Sequence, residues 1–320
     1  MIKIILLVLL ALVLLSLFAG YYIFNSVFLY NDQQKGDKES ALDPASIDSD
    51  SDLMRPTAGR YYAFRGPYID AFKKLQLKEL TIRSFDNLTL YGYLLEGDPK
   101  EVVICVHGYK SSMEEDFADR IQIYLDRGST VLLLNDRAHG KSEGKYLGFS
   151  EHDKRDVARW IDKVNEMYEQ PRIYLHGVSM GGATVIHCAD AGLKNVCGII
   201  DDCGFDSIVN ISKYLIKDMY HLPYFPFGDL AWFWSVIITG VSFNTSMGET
   251  CVANSDLPVL FIHGKEDHFV PCWMSERMYE ACKGPKELHL IEGCGHAAAY
   301  MMATEEYTAA VNRLLDGEFK

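Results

Sequence analysis

The stretch Arg172-Ile-Tyr-Leu-His-Gly-Val-Ser-Met-Gly-Gly-Ala-Thr-Val-Ile-His-Cys-Ala-Asp190 decides how the chain folds. An apolar run typical of a buried strand leads into Gly177-Val-Ser-Met-Gly181, and small residues with a helical pattern follow at once. A G-x-S-x-G pentapeptide between a strand and a helix is the pattern of a nucleophile elbow. Its glycines permit a sharp turn and close helix–strand packing. The sequence therefore predicts that Ser179 projects its hydroxyl from the end of a strand.

Two later segments each combine a strand-like run with a loop, and each loop carries a residue type that a nucleophilic serine needs. Leu257–Pro271 contains Asp267, and Glu287–His296 ends in a histidine. A serine hydroxyl is a poor nucleophile until a neutral imidazole removes its proton. A carboxylate then orients the imidazole and stabilises its charged form. The chain order Ser179, Asp267, His296 therefore predicts a catalytic triad.

Three other carboxylates compete with Asp267 for the position of the triad acid. Asp201 and Asp202 end the preceding strand-like run, and Glu266 stands directly before Asp267. We prefer Asp267 to Asp201 and Asp202, because the loop Gly264–Pro271 matches an acid loop more closely than their surroundings. Glu266, in the same loop, is a weaker competitor.

The chain from about Lys78 to Phe319 resembles bacterial α/β-hydrolases of the serine-hydrolase superfamily. The resemblance is to the membrane-anchored or exported Firmicute type, which is likened to esterases, lysophospholipases and prolyl-oligopeptidase-like proteins. Where many relatives carry Arg-Gly-His-Gly, this chain has Arg137-Ala-His-Gly140, outside the predicted triad. Six motifs in chain order carry the resemblance: His107-Gly-Tyr109, Asn135-Asp-Arg-Ala-His-Gly-Lys-Ser142, Gly177-Val-Ser-Met-Gly181, Asp201-Asp-Cys-Gly204, Phe261-Ile-His-Gly264 with Asp267, and Gly295-His296.

The resemblance implies an oxyanion hole and an activity. The backbone N–H groups of Tyr109 and Met180 would bind the developing alkoxide. The implied reaction is hydrolysis of a carboxylic ester, small or lipid-like, through an acyl-enzyme and without a cofactor. Because one fold hosts many acyl-transfer activities, a peptidase or aminopeptidase is the alternative. A non-catalytic binding module is a further alternative, against which the intact triad argues.

Strand-like and helical patterns alternate along most of the chain. Glu79–Ser84 and Leu88–Leu94 predict an antiparallel hairpin at a sheet edge, and apolar β-branched strands separated by amphipathic helices predict a mostly parallel sheet covered on both faces. We therefore expect the α/β class, as an α/β-hydrolase fold with eight strands flanked by helices. The other strands are expected near Val102–Val106, Thr130–Asn135, Ile173–His176, Val196–Asp201, Val259–His263 and Glu287–Ile291, and the helices at Glu114–Arg127, Glu151–Glu169, Ser179–Gly192, Trp273–Lys283 and Glu305–Leu315.

The segment from Phe205 to about Ser255 interrupts this alternation. It lies between the sixth and seventh predicted strands, where the resemblance implies a helical cap over the active site. The aromatic side chains of this segment could form an acyl-binding lid, could pack the insert onto the body, or could dip into a bilayer interface. These residues are Tyr220, Tyr224, Phe225, Phe227, Trp232, Phe233 and Trp234.

The N-terminal residues predict a membrane helix. Ile4–Phe24 is almost entirely apolar, and at about 1.5 Å per residue such a helix covers the roughly 30 Å hydrocarbon core of a bilayer. A cleaved signal peptide is the alternative, but Leu17 and Phe18 stand where a small residue would be wanted before Ala19-Gly20. An uncleaved anchor is therefore favoured.

We expect residues 1–30 to be this anchor, residues 31–56 a polar linker, and residues 57–320 the hydrolase domain with its cap at about 205–255. Lys3 precedes the span, and Lys35 and Lys38 follow it, so the basic residues do not favour export. Long domains nevertheless translocate largely regardless of flanking charge. A single-pass signal anchor with an extracytoplasmic catalytic domain is the expected arrangement, and a chain beginning near Asn31 is expected to be soluble and active.

Charge and cysteine content exclude some partners. The chain has 31 basic and 44 acidic residues and a net charge of −13, which disfavours nucleic acid and anionic membrane surfaces as partners. Its eight cysteines show no C-x-x-C pair and no histidine spacing suited to zinc, so no metal site is predicted. Cys272 and Cys294 lie in the acid and base loops, where they could form a disulfide or remain two separate thiols.

Overall fold

One eight-stranded sheet organises the chain, in the strand order β1-β2-β4-β3-β5-β6-β7-β8. The computed structural model describes residues 1–30, 58–219, 221–244 and 246–319, so the predicted linker at 31–56 lies outside the described residues. The strands are Lys78–Arg83 (β1), Thr89–Leu95 (β2), Asp98–Val106 (β3), Ser129–Asn135 (β4), Arg172–Val178 (β5), Val196–Asp202 (β6), Val259–Gly264 (β7) and Lys286–Ile291 (β8).

The pairing of the strands confirms the expected sheet. β1 and β2 form the antiparallel hairpin at one edge, and β2 also pairs antiparallel with β4. All the remaining neighbours are parallel. The carboxyl ends of β3, β5, β6 and β7 therefore meet at one edge of the sheet, and the loops that follow them lie close together there.

Helices cover both faces of the sheet. Alternate residues of the buried strand β3 divide between two apolar clusters: Val103 and Cys105 join one, and Val102 and Ile104 join the other. The helices outside the region between β6 and β7 are Ile2–Phe28 (α1), Ala58–Phe72 (α2), Met113–Phe117 (α3), Ile121–Arg127 (α4), Asp153–Met167 (α5), Met180–Ile186 (α6), Trp273–Ala281 (α10), Ala299–Met302 (α11) and Thr304–Leu315 (α12).

Three helices differ from the sequence-based expectation. The helix expected at Glu114–Arg127 is divided into α3 and α4, and at the division the side chains of Asp119 and Arg120 are buried and pair with each other. The helix after Ser179 ends at Ile186, short of the expected Gly192. Helix α2 was not expected, since Gly66-Pro67 interrupts its apolar pattern.

The segment between β6 and β7 is helical. It contains Ile208–Tyr214 (α7), a π-helical turn at Leu215–Met219, Tyr224–Thr239 (α8) and Gly248–Ala253 (α9). Of the aromatic residues expected in the cap, Tyr220 lies outside the described residues. Ile208 and Ile211 of α7 belong to an apolar cluster with Met180, the residue after the predicted nucleophile. The segment between β6 and β7 therefore shares one apolar cluster with the residue that follows Ser179.

Helix α1 has two parts with different surroundings. It is long and apolar enough to cross a membrane, and residues 1–16 are exposed in the structure. Its last turns are instead packed: Phe24 is 0% exposed and Phe28 is 1% exposed. Both rings join the cluster that contains Met180 and Phe243.

Backbone contacts also hold the residues after this packed end. Leu29 forms an isolated antiparallel bridge with Tyr146, and the Tyr30 N–H donates to the Lys145 carbonyl over 3.0 Å. The Leu147 N–H donates to the Phe28 carbonyl over 2.9 Å. Residues 24–30, which include the last turn of α1, are therefore part of the folded body.

This packing changes what we expect of a shortened chain. A chain that begins at Asn31 lacks Phe24 and Phe28, and loss of one buried phenylalanine side chain costs about 3–5 kcal/mol. One kcal/mol corresponds to about 2–4 °C in a domain of about 150–250 residues. We therefore expect the chain that begins at Asn31 to melt at a temperature about 10 °C or more below that of a chain beginning at Phe18. Thermal unfolding of the two chains measures the difference, and equal melting temperatures would show that residues 18–30 are dispensable.

Candidate active site

Ser179 occupies a strained turn between β5 and α6. Its backbone has φ 57° and ψ −117°, a conformation that costs a residue other than glycine about 1–3 kcal/mol. Close backbone packing enforces the turn: a Cβ at Gly177 would lie 2.1 Å from the Gly181 carbonyl oxygen, and a Cβ at Gly181 would lie 2.0 Å from the Val106 carbonyl oxygen. The Ser179 N–H donates to the Asp202 carbonyl over 2.8 Å. The backbone at Ser179 therefore makes the sharp turn that the sequence predicts.

The structure brings Ser179, His296 and Asp267 together. The Nε2 atom of His296 lies 2.9 Å from the Ser179 Oγ, and its Nδ1 atom lies 2.6 Å from the Asp267 Oδ2. With the ring proton on Nδ1, the imidazole donates to the carboxylate and accepts from the serine hydroxyl. The serine and histidine are each 6% exposed, and the aspartate is 3% exposed. This hydrogen-bonded chain is open to solvent only at its serine end and along part of the imidazole.

Four groups fix the Asp267 carboxylate. Its Oδ1 accepts the N–H groups of Phe269 and Val270 over 2.9 and 2.8 Å, and its Oδ2 lies 3.3 Å from the His263 Nε2. Burial alone would raise the pKa of Asp267, but the charge of His296 and the hydrogen bonds from the two histidines hold it well below its usual value. The group therefore stays ionised, as an orienting acid must.

His263 contacts both its own loop and the carboxylate of Asp267. Its Nε2 atom lies 2.8 Å from the Val270 carbonyl oxygen and 3.3 Å from the Asp267 Oδ2. No local sequence pattern indicates the contact with Asp267. Burial acts to lower the pKa of His263, but the hydrogen bond and charge of Asp267 outweigh it and raise the pKa.

The three competing carboxylates are engaged elsewhere. The Asp202 Oδ2 accepts hydrogen bonds from the Arg120 Nε and the Tyr307 hydroxyl, each over 2.9 Å. Asp201 accepts from the Gly204 N–H over 2.9 Å, and burial raises its pKa to about 7. Glu266 accepts from the Cys294 N–H over 2.9 Å. Both ring nitrogens of His296 are meanwhile occupied by Ser179 and Asp267.

Arg120 is a buried residue that sequence reasoning did not identify. Besides its pair with Asp202, its Nη2 donates to the carbonyl of Ala297 over 2.8 Å. Ala297 follows His296, so this guanidinium joins the loop of the base to the end of β6. An arginine in a helical pattern normally predicts an exposed side chain, and no neighbouring signal marks this one as buried.

Of the two predicted oxyanion donors, Tyr109 lies in the loop after β3 and Met180 directly follows the serine. Gly108, directly before Tyr109, packs against Ser179: a Cβ at Gly108 would lie 3.1 Å from the Ser179 Cβ. The Gly108 N–H donates to the Asp116 Oδ2 over 2.7 Å, which fixes the end of β3. Met180 is the first residue of α6. The Tyr109 hydroxyl donates to the Val27 carbonyl over 2.9 Å, so the loop after β3 also contacts the end of α1.

An apolar cluster includes the residue that follows the serine. Phe24, Phe28, Phe205 and Met274 belong to this buried cluster with Met180. The ring of Phe269, which borders the cluster, meets the His296 ring edge-to-face at 5.1 Å between centroids. Apolar residues next to a nucleophile favour an apolar substrate group.

Among the described residues, one trio has the donor atoms to hold a metal ion. Cys203, Asp267 and His296 place ligand atoms within 4.8 Å of one another. Asp267 and His296 are already bonded to each other, however, and burial raises the pKa of the Cys203 thiol well above its usual value. A protonated thiol is a poor metal ligand, so the trio suits a catalytic triad better than a metal centre.

The cysteines of the acid and base loops are separate thiols. Each of the eight cysteines is free in the structure, Cys272 and Cys294 included. The Cys294 Sγ lies 3.3 Å from the Gly295 carbonyl oxygen, and the Cys272 Sγ lies 3.9 Å from the Lys265 carbonyl oxygen. Of the two alternatives that the sequence left open, the structure contains the pair of thiols.

Known proteins resemble the chain both in sequence and in fold. A family model described as "Serine aminopeptidase, S33" matches residues 97–203. The uncharacterized protein YqkD of Bacillus subtilis is 29% identical over 77% of this chain and 83% of its own. YfhR of Escherichia coli K12, also uncharacterized, is 26% identical over 62% of this chain and 63% of its own.

Solved esterases share the fold. The esterase Pf2001 of Pyrococcus furiosus superposes with a TM-score of 0.63 at 24% identity, over 77% of this chain and 94% of its own. The esterase EaEST of Exiguobacterium antarcticum superposes with a TM-score of 0.56 at 18% identity, over 74% and 98%. With the sheet order and the serine elbow described above, these likenesses show that the chain has the α/β-hydrolase fold and is similar to serine hydrolases of that superfamily.

Proposed function

We propose that this hydrolase cleaves carboxylic esters of small or lipid-like acyl groups through an acyl-enzyme intermediate. Ser179 is the nucleophile, His296 the general base and Asp267 the acid that orients it. The observation that carries the proposal is the continuous hydrogen-bonded chain from the serine Oγ through the imidazole to the carboxylate. The roles follow from that geometry, because only the histidine can exchange a proton with the serine while its other nitrogen is held.

The proposed reaction has two halves. As Ser179 Oγ attacks the ester carbonyl, His296 Nε2 takes its proton, and the Tyr109 and Met180 N–H groups bind the alkoxide; one such donor is worth about 3–4 kcal/mol in other acyl-transfer enzymes. The imidazolium then protonates the departing alcohol, which leaves the acyl group on Ser179. Water, deprotonated by the same imidazole, attacks the acyl-enzyme and releases the carboxylic acid and the free serine.

An ester substrate is favoured over a peptide by the lining of the site. The cluster around Met180 is apolar, and the solved neighbours cited above are esterases. The name of the matching family model supports the alternative, an aminopeptidase, which would bind a cationic amino terminus.

Substitutions at the triad test the assigned roles. Ser179→Ala should abolish labelling by a fluorophosphonate probe, and both Ser179→Ala and Asp267→Asn should lower kcat by about a thousandfold or more.

Asp202→Asn is the matched control, because it alters a buried aspartate that is bonded to Arg120. Rates are compared per folded protein, since that control removes a buried ion pair. A larger loss in Asp202→Asn than in Asp267→Asn would show the acid to be wrongly assigned, and a chain that the probe never labels would be a binding module.

The cap is proposed to bind the acyl chain. Ile211 of α7 is 5% exposed in the cluster with Met180, and Ile161 of α5, 1% exposed, lies in the cluster on the sheet. Because burial is worth about 0.8 kcal/mol per methylene, Ile211→Ala should lower kcat/KM severalfold for an octanoyl ester relative to an acetyl ester. Ile161→Ala should leave that ratio unchanged. Equal effects of Ile211→Ala on the two esters would indicate that the insert is purely structural.

We further propose that α1 is retained as a single-pass anchor and that the catalytic body lies outside the cytoplasm. The Trp234 Nε1 donates to the Leu17 carbonyl over 2.9 Å. This contact involves a residue upstream of Ala19-Gly20, the nearest candidate cleavage site. The folded body thus engages residues that cleavage there would remove.

Protease added to intact cells tests the side of the membrane. An outer location predicts that added protease degrades the catalytic body while a cytoplasmic marker protein survives. Membrane fractions before and after treatment, probed for the C-terminal part of the chain, provide the measurement. Protection of the body until the cells are lysed would place it inside.

A further inference from the structure

The outer face of cap helix α8 is not covered by protein and is mostly apolar. Its one charged residue within Tyr224–Thr239 is Asp229, which is exposed on this face in the first turns of the helix. Gly228, Ala231 and Ser235 form its buried side. Its opposite side exposes large apolar residues: Trp232 (37%), Phe233 (42%), Val236 (38%) and Ile237 (63%). A helix on the surface of a water-soluble protein normally has polar residues on that side.

Helix α8 packs directly against the membrane-type helix α1. Gly20 permits this approach, because a Cβ there would lie 2.6 Å from the Leu230 Cβ. The Trp234 ring meets the Tyr21 ring edge-to-face at 5.3 Å, and its indole N–H donates to the Leu17 carbonyl. The exposed side of α8 and the exposed surface of α1 are therefore parts of one continuous apolar surface.

The position of this contact along α1 sets its depth relative to a bilayer. Residues 1–16 are exposed, and at about 1.5 Å per residue they measure about 24 Å. That length is shorter than the roughly 30 Å hydrocarbon core. If α1 spans the membrane, residues 17–21 are needed to complete the crossing. The residues that contact α8 therefore lie inside the near boundary of the hydrocarbon.

We propose that the outer face of α8, with Trp232, Phe233, Val236 and Ile237, is seated in the bilayer leaflet nearest the catalytic body. Aromatic side chains at this level suit the membrane interface, and Tyr22 of α1, 70% exposed, adds another ring there. The net charge of −13 gives the protein no general attraction to anionic lipids, so apolar contact carries the seating. This inference rests on the proposed anchoring of α1.

The seating deepens the proposed function, because it specifies where the substrate comes from. Helix α8 and the segment after it continue into Val241 and Phe243, which pack in the same cluster as Met180. The cap thus joins the membrane surface to the surroundings of the catalytic serine. An acyl ester dissolved in the leaflet can reach the site along apolar surface, without its chain crossing water.

Nitroxide accessibility in vesicles tests the seating. The full-length chain is reconstituted in phosphatidylcholine vesicles after Cys197→Ser and Cys272→Ser, which remove the two partly exposed thiols. One cysteine is then introduced and spin-labelled: Ile237→Cys on α8, Val8→Cys on α1, or Leu125→Cys on α4, the last an exposed leucine outside the cap. We expect the ratio of collisions with oxygen to collisions with a water-soluble nickel complex to be severalfold higher at 237 than at 125, and similar to that at 8.

Each other result has a distinct meaning. A label at 237 that matches 125, while the label at 8 reports hydrocarbon, would overturn the seating and leave the anchor intact. A label at 8 that also reports water would refute the anchor, and the seating with it. A label at 237 that collides with neither reagent would mean that protein covers α8, as in a second copy of this chain, and would overturn the bilayer as its partner.

Activity provides an independent readout of the substrate source. Ile237→Lys should lower hydrolysis of a long-chain ester embedded in vesicles severalfold and leave hydrolysis of a water-soluble acetyl ester unchanged. Leu125→Lys should change neither rate. Unchanged hydrolysis of the embedded ester in Ile237→Lys would overturn the leaflet route. Ser179→Ala, which should lose hydrolysis of both esters, tests the proposed chemistry and not the route.

Discussion

The close approach of α6 to the ends of β3 and β5 is the constraint on which the rest of the site depends. The Gly181 Cα faces the Val106 carbonyl at a distance that no side chain tolerates, and Gly177 faces the Gly181 carbonyl in the same way. This packing forces Ser179 into positive φ and points its hydroxyl out of the sheet edge. The strain of that conformation is sustained because the surrounding sheet is rigid and buried. A looser contact would let the serine relax away from His296.

The buried ion pair of Asp202 and Arg120 fixes the loops around this elbow. Asp202 takes part twice, since its carbonyl accepts the Ser179 N–H and its carboxylate pairs with Arg120. Arg120 in turn holds the carbonyl after His296. Removing one partner of such a buried pair costs about 3–5 kcal/mol because the other charge is left without compensation. Ser179 and the loop of His296 are thus held by one network, although they lie far apart in the chain.

Helix α1 has two parts with different surroundings. Its first residues are exposed and apolar, whereas its last turns fill the cluster beside Met180 and accept a hydrogen bond from Tyr109. The exposed apolar part of α1 and the loop after β3 are therefore physically connected through one helix. The same arrangement sets the position of the cap, because α8 packs on the segment of α1 between these two parts.

The sequence by itself determined the sheet, the elbow and the identity of the three residues that meet at it. Those features depend on local patterns: apolar runs for buried strands, glycines at fixed spacing around Ser179, and chain order for Asp267 and His296. The tertiary structure decided what depends on contacts between distant segments. The division of α3 from α4, the burial of Arg120, the contact of His263 with Asp267 and the packing of Phe24 and Phe28 all belong to this class. An arginine or a phenylalanine has the same local pattern whether its partner lies near or a hundred residues away, and only the fold brings that partner into contact.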